Sequence, residues 1–402
     1  MKHNNLIFDF SNVYSMKERV HLYSNRFRDC LNSQLEIISC DESMPINFEI
    51  IPDIMNIDNV KTIFKYPNLS FLNHSIIYEA QRGVNLPVNI DYSISFESNT
   101  GSYVHDYITG RKDVPEKFKK ILHLMLENDF NLDPLLYIIE TVAKGEKNKD
   151  FYDNFFSLKK LMTCDMDYYK NTKKIKSIFS DEILMIEALK DIESLENDYS
   201  EIINHSKRIH LIMKCILLLI IVSRYKYRKK GEDNFPFQLK YIVKFMDKKF
   251  QTIFLRELVV AIEYFNNHQF EFFNKIHNHE EFFKNINNMA WDFSIIRILE
   301  SFYVSRPEEN VDFFIPFIFS WDKGLLESME LFYCKDLLIF KKERMIHTVP
   351  SESLEDKIKE YNLDEYFTIE SHIVRMNSPE PDLESILSEL ISETKRIVLK
   401  GK

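Results

Sequence analysis

The sequence predicts an α/β protein in which strands flank a long helical insert, and three observations carry that expectation. Residues 87–96 (PVNIDYSISF) are rich in β-branched and aromatic side chains and run into Glu97-Ser98-Asn99-Thr100, a helix-start signature. A second apolar run, residues 313–320, ends at Trp321-Asp322-Lys323-Gly324, where a short helix begins. Between them, the chain from Pro115 to about Glu271 reads as almost wholly helical. If the two strands pair in parallel, their C-terminal ends share one edge. Active sites of open α/β sheets lie outside that edge.

Taken in order, residues 1–85 form a mixed N-terminal segment. Short β-like runs at 6–10, 34–39, 48–51 and 75–78 alternate there with Asn, Asp and Ser turns. Residues 86–110 hold the first strand and a helix over 101–107, with Ser98 or Asn99 as its cap. Residues 111–250 read as a helical insertion. Pro115 starts one helix at its first turn, and Asp133-Pro134 starts another that Gly145 ends. Further helices fit 150–164, 181–197, 201–230 and 237–265, the last two parted by the GEDNFP stretch at 231–236. Residues 251–345 return to an α/β pattern: a helix opened by Asp292, a strand at 313–320, a helix at 324–332 and a strand at 336–341. Residues 346–402 are a helical acidic tail, with Pro379 and Pro381 before a last amphipathic helix.

Composition narrows the chemistry. With only 7 glycines and neither GxGxxG nor GxxxxGK[ST], dinucleotide-binding and P-loop readings are excluded. A net charge of −10 argues against a generic polyanion binder, though local basic patches remain. The five cysteines (Cys30, Cys40, Cys164, Cys215, Cys334) are odd in number and lack CxxC spacing. That pattern favours reduced thiols in a cytoplasm over a disulfide framework. The N-terminus has no signal-peptide core. The most apolar run, broken by Lys214, leaves only Cys215 to Val222 uninterrupted. A membrane span needs roughly 18–20 residues, so a buried core helix is expected instead. No HExxH frame or Gly-x-Ser-x-Gly elbow occurs.

Four carboxylates stand where a metal-dependent hydrolase would want them: Glu97 after the first strand, Glu257 within FLRELVVAIEYF, Asp292 in AWDF, and Asp322 after the second strand. Hard cations such as Mg²⁺ and Mn²⁺ take oxygen ligands. Asn99 and Ser98 are placed to orient a ligand or water, and Lys323 to hold a phosphate. Asp9 in LIFDFSN and Asp91 compete with Glu97 for the first position, and Glu263 competes with Glu257. Each acid also has a plainer reading, because Asp and Glu cap helices and end strands on their own merits.

The order of these motifs resembles the PIN-like nuclease superfamily. The strings that carry the resemblance are FESN (96–99), the acid Glu257 on a mid-domain helix, Asp292 at a helix start, and SWDKGL (320–325). It implies a three-layer α/β/α core with a parallel sheet, within which the long helical stretch of this chain is read as an insertion. It also implies metal-dependent RNA cleavage, with Mg²⁺ or Mn²⁺ held by Glu97, Glu257, Asp292 and Asp322. The chain departs from the family where Glu97 replaces the usual Asp, and in the long stretch between Glu97 and Glu257. A basic run with interleaved aromatics (Arg224, Lys226, Arg228, Lys229, Lys230), followed by Lys240, Lys244, Lys248 and Lys249, suits single-stranded or looped RNA. The resulting expectation is a cytoplasmic endoribonuclease, in a toxin-like or phage-defence role, with a second copy or an inhibitory protein as further partners and no membrane. The alternative is a non-catalytic helical interaction scaffold.

Overall fold

The computed structural model describes residues 2–11, 13, 15–42, 48, 50–84, 87–198, 200–227, 234–266, 271–277, 280–304, 310–351 and 354–399. The chain divides into two compact units. The first comprises Met1–Ser206, Ile295–Leu326 and Tyr333–Ser351, and the second Lys207–Ser294, Glu327–Phe332 and Glu352–Lys402.

All the strands described lie in the first unit. They are β1 (Leu35–Cys40), β2 (Val60–Lys61), β3 (Leu69–Leu72), β4 (Ile90–Phe96), β5 (Leu132–Asp133), β6 (Phe313–Phe319), β7 (Cys334–Phe340) and β8 (Met345–Pro350). One sheet has the order β3-β1-β7-β8 and is antiparallel throughout. The other has the order β2-β6-β4-β5, with β4 parallel to both β5 and β6 and β2 antiparallel to β6. The β4–β6 register runs from Ile90↔Phe313 to Phe96↔Phe319. The two strands read from the sequence therefore do pair in parallel, with their C-terminal ends level. β6 (FFIPFIF) is buried at every position, the continuous apolar run of a strand covered on both faces.

Two of the four β-like N-terminal runs are helical instead, and a third is helical from Ile50. Leu6 and Phe10 are buried while Phe8 between them is 55% exposed. Burial at every fourth residue is a helical period, and a strand would have put all three on one face. These residues belong to the helix Lys2–Ser11, which joins Tyr23, Leu35, Ile37 and Leu338 in one apolar cluster. Residues 75–78 fall in the helix His74–Gln81, whose cap Asn73 accepts from the Ile76 amide at 2.9 Å. The run at 48–51 gives way at Ile50 to the helix Ile50–Met55. The run at 34–39 is β1. Behind it lies an ion pair between Arg19 and Asp336, 2.8 Å apart and each 1% exposed. Burial lifts the Asp336 carboxyl above the usual range in spite of the Arg19 guanidinium.

The expected helices after β4 are present: Ser98–Thr109, Glu116–Glu127, Leu135–Lys144, Lys149–Met162 and Asp181–Asp198. Gly145 ends the helix that begins after Pro134, as expected, closing Leu135–Lys144 with a left-handed φ of 75° that a glycine adopts without strain.

The second unit is helical among its described residues. Cys215 to Val222 in the helix Ser200–Lys226 are each 0% exposed, the core segment the sequence suggested. Among the described residues no helix is long and apolar enough to cross a membrane. The helix read over 237–265 is broken. Phe235–Phe245 runs into a π-helical turn at Met246–Phe250, Gln251 takes a left-handed φ of 54°, and Leu255–Asn266 starts afresh. No Gly or Pro marks this break, so the unbroken apolar pattern concealed it.

Candidate active site

The parallel strands β5, β4 and β6 bring three carboxylates to the neighbourhood of one sheet edge. Glu97 directly follows β4 and is itself the cap of Ser98–Thr109, the role expected of Ser98 or Asn99. Its extended backbone (φ −86°, ψ 169°) turns the side chain back onto the first helical turn. Oε2 accepts from the Asn99 amide at 2.7 Å, and Oε1 from the Thr100 amide at 3.1 Å and the Thr100 hydroxyl at 2.9 Å. Glu97 is 2% exposed, and these bonds are what allow a carboxylate to remain there. Asn99 is exposed on that first turn.

Asp322 follows β6 and caps Lys323–Leu331, accepting from the Leu325 amide at 3.0 Å. Ser320 ties the two acids together. Its Oγ donates to Glu97 Oε1 at 3.4 Å and accepts from the Asp322 amide at 3.0 Å. Lys323 opens the new helix and is exposed. Of the predicted set, then, Glu97, Asn99, Asp322 and Lys323 sit at the level ends of β4 and β6.

The third carboxylate, Glu140, was not singled out from the sequence. It lies on Leu135–Lys144, the helix that follows β5, and is 2% exposed. Oε2 accepts from the Ser98 amide at 3.1 Å and Oε1 from the Ser98 hydroxyl at 2.9 Å, with Lys144 Nζ also bonded to Oε1. The signal was available: Glu140 is the lone acid in the apolar run LLYIIETVA, where a solvated face offers no explanation. At the end of β5, Asp133 accepts from the Leu135 amide at 2.8 Å, and burial raises its carboxyl above the ordinary range.

Glu257 and Asp292 belong to the second unit. Glu257 is 0% exposed on Leu255–Asn266. Asp292 does not open a helix. It lies in the middle of Phe282–Ser301, with Lys275 Nζ at 3.6 Å from its carboxylate. The reading misplaced the helix start because Phe282 to Asn288 continue the same helical pattern upstream. Among the described residues no group of three or more His, Cys, Asp or Glu side chains is disposed to hold a metal ion.

Of the basic run, Arg224 turns inward, donating to the Tyr264 carbonyl with its guanidinium 4.2 Å from the Tyr264 ring centroid. Lys226 pairs with Glu393 at 3.0 Å. Arg228, Lys229 and Lys230 lie outside the described residues. Burial pushes the Cys30 and Cys215 thiols up to about 12 and Cys40 to about 11, which keeps them protonated and out of nucleophilic chemistry.

No protein-family model, curated protein or solved structure matches this chain.

The donors gathered at the β4–β6 edge are carboxylate and hydroxyl oxygens, the set a hard divalent cation takes. Glu97 Oε1 accepts from the Thr100 amide and from the hydroxyls of Thr100 and Ser320, and hydroxyl donors can rotate. Mg²⁺ is commonly held by one or two protein carboxylates plus water and substrate phosphate, and Glu97 and Asp322 are the carboxylates that follow β4 and β6.

Proposed function

We propose that the β4–β6 edge is the centre of a metal-dependent endoribonuclease with a PIN-like arrangement of its acids. The observation that supports this reading best is the Glu97–Ser320–Asp322 linkage across two parallel strands with level ends. Glu97 and Asp322 would hold Mg²⁺ or Mn²⁺ together with water and substrate phosphate, while Glu140 acts from behind through Ser98. The ion would supply an acidic bound water to attack a phosphodiester and charge to offset the leaving oxygen. Ser98 and Ser320 orient the carboxylates. Lys323, exposed at the first turn of its helix, adds a cation for a non-bridging phosphate oxygen. Glu257 and Asp292 are not drawn on.

The test is cleavage of single-stranded RNA in Mn²⁺ by the wild type, Asp322→Asn and Glu140→Gln. Each substitution is expected to lower the rate at least about a hundredfold, since even residues behind metal ligands cost about 10–100-fold. Equal rates in all three chains would eliminate the assignment.

A second reading, a non-catalytic interaction protein, draws on two helices. Ile369–Met376 has no buried residue and exposes Ile369, Ile373 and Val374, and Asp181–Asp198 exposes Ile183, Ile186 and Leu189. Thermal melting separates the two. A carboxylate site with Mn²⁺ at 100 times its Kd gains about 2.7 kcal/mol, whereas a scaffold melts at one temperature with or without the ion.

A further inference from the structure

The second unit carries a basic, aromatic cleft of about 410 Å³ beside the helix Phe235–Phe245. That volume lies within the ordinary range for ligand sites, about 300–1,000 Å³. Lys240, Lys244 and Lys248 line it together with Lys249. The first three recur every fourth residue, so Lys240 and Lys244 stand one above the other on a single helical face. The walls also carry Tyr227, Phe237 and Tyr241. Phe237 is 62% exposed, so one face of its ring is open to solvent. Its plane lies 18° from that of Tyr227, with centroids 6.5 Å apart.

The acids near this cleft are already engaged at its margins. Glu393 takes Lys226 at 3.0 Å and the Tyr241 hydroxyl at 3.0 Å, and Glu389 takes Lys249 at 2.8 Å. Lys248 is 3.3 Å from its neighbour Asp247, whose other oxygen is 2.9 Å from Arg375. Lys240 and Lys244 have no acidic partner among the described residues. Among the described residues no Asp or Glu lines the cleft itself. What is left facing outward among the described residues is the uncompensated charge of Lys240 and Lys244, four residues apart beside an exposed ring.

We propose that this cleft binds single-stranded nucleic acid, with Lys240, Lys244 and Lys248 on the phosphates and a base stacked on Phe237 beside Tyr227. Lysines alone would suit any polyanion. The exposed ring in their midst selects a ligand that alternates phosphates with flat aromatic faces, and every base presents such a face. A duplex keeps its bases stacked inside and offers Phe237 nothing. The inference stands on residues of the second unit and does not require the β4–β6 edge to be catalytic. Of the basic positions marked in the sequence, it rests on Lys240, Lys244 and Lys248, which follow the Arg224–Lys230 run.

Fluorescence anisotropy of a labelled RNA of about 12 nucleotides, within the usual footprint of such sites, tests it. EDTA is present so that cleavage does not enter. The wild type is expected to bind, and to bind the matching duplex less tightly. Phe237→Ala should weaken binding about tenfold, near the middle of the range for one lost stacking contact. Lys240→Gln with Lys244→Gln should lower the slope of log K against log salt by about 1.4, at about 0.7 per phosphate contact on a single strand. Both sites are exposed, so melting temperatures should stay near that of the wild type. Failure of the wild type to bind overturns the proposal. So does a Phe237→Ala chain that binds as tightly as the wild type, or equal competition by heparin and anionic vesicles, each of which would mark a generic cation patch. A chain that binds RNA yet never cleaves it would sink the catalytic reading alone.

Discussion

Replacing Glu97 by Gln removes the charge but keeps one acceptor oxygen for the Thr100 amide, so it separates capping from metal binding. The amide end cannot accept from Asn99, and one capping bond is lost. The expected cost is about 1 kcal/mol, the usual worth of a cap, read as a drop of a few degrees in melting temperature. The gain in melting temperature from Mn²⁺ should vanish in Glu97→Gln. A variant that still responds to Mn²⁺ would leave Glu97 with its cap alone. At this scale the sequence was informative about type and poor about identity. Glu97 and Asp322 were legible because each follows an apolar strand. Asp9 is removed as a rival because LIFDF is helical, with Asp9 3.2 Å from Arg26. Glu140 was legible as a buried acid from its apolar run, but its partner Ser98, far from it in sequence, was not.

Among the elements, Ser98–Thr109 depends on one close approach. Gly101 lies within it, and a Cβ placed there would come 2.8 Å from both Cδ2 and Cε2 of the Tyr137 ring. That ring is held by near-parallel packing on Phe151, 5.7 Å between centroids, and by a 3.2 Å bond from its hydroxyl to the Phe151 carbonyl. Helix propensity alone would make Gly101→Ala stabilising by about 1 kcal/mol. The overlap should reverse the sign, giving a net loss of about 1–3 kcal/mol by urea denaturation. The parallel pair β4–β6 was legible because both runs are long and apolar and end in punctuated turns. β3 (LSFL) and β8 (MIHTVP) were not, being short and without alternation. The helices at 2–11 and 74–81 were misread for a related reason: over four or five residues, apolar content does not tell a period of two from one of 3.6. Their buried faces are set by contacts with distant strands.

For the molecule as a whole, the Arg19–Asp336 pair joins positions 317 residues apart inside the first unit. Arg19→Met leaves a buried carboxylate uncompensated, and the expected loss is about 3–5 kcal/mol at neutral pH. The pH dependence has a definite sign. Burial holds the Asp336 pKa above its unfolded value, and removing Arg19, which lowers it, raises it further. A group of this kind gives its full contribution below the unfolded pKa of about 3.9 and loses it as pH rises through the folded value. The deficit of Arg19→Met should therefore shrink on acidification, measured as the difference in unfolding free energy from the wild type at pH 7 and pH 5. A deficit that is constant with pH would assign the cost to lost packing instead. The same long connection governs how the antiparallel sheet comes into being. β1 is an inner strand, and its neighbour β7 pairs Asp336 with Ser39. At about 5–20 residues per second, a ribosome needs roughly 15–60 s to deliver that neighbour. Throughout that interval the nascent chain has an apolar strand with one flank unprotected, a template for pairing between molecules, so this sheet is where chaperone dependence during synthesis would concentrate.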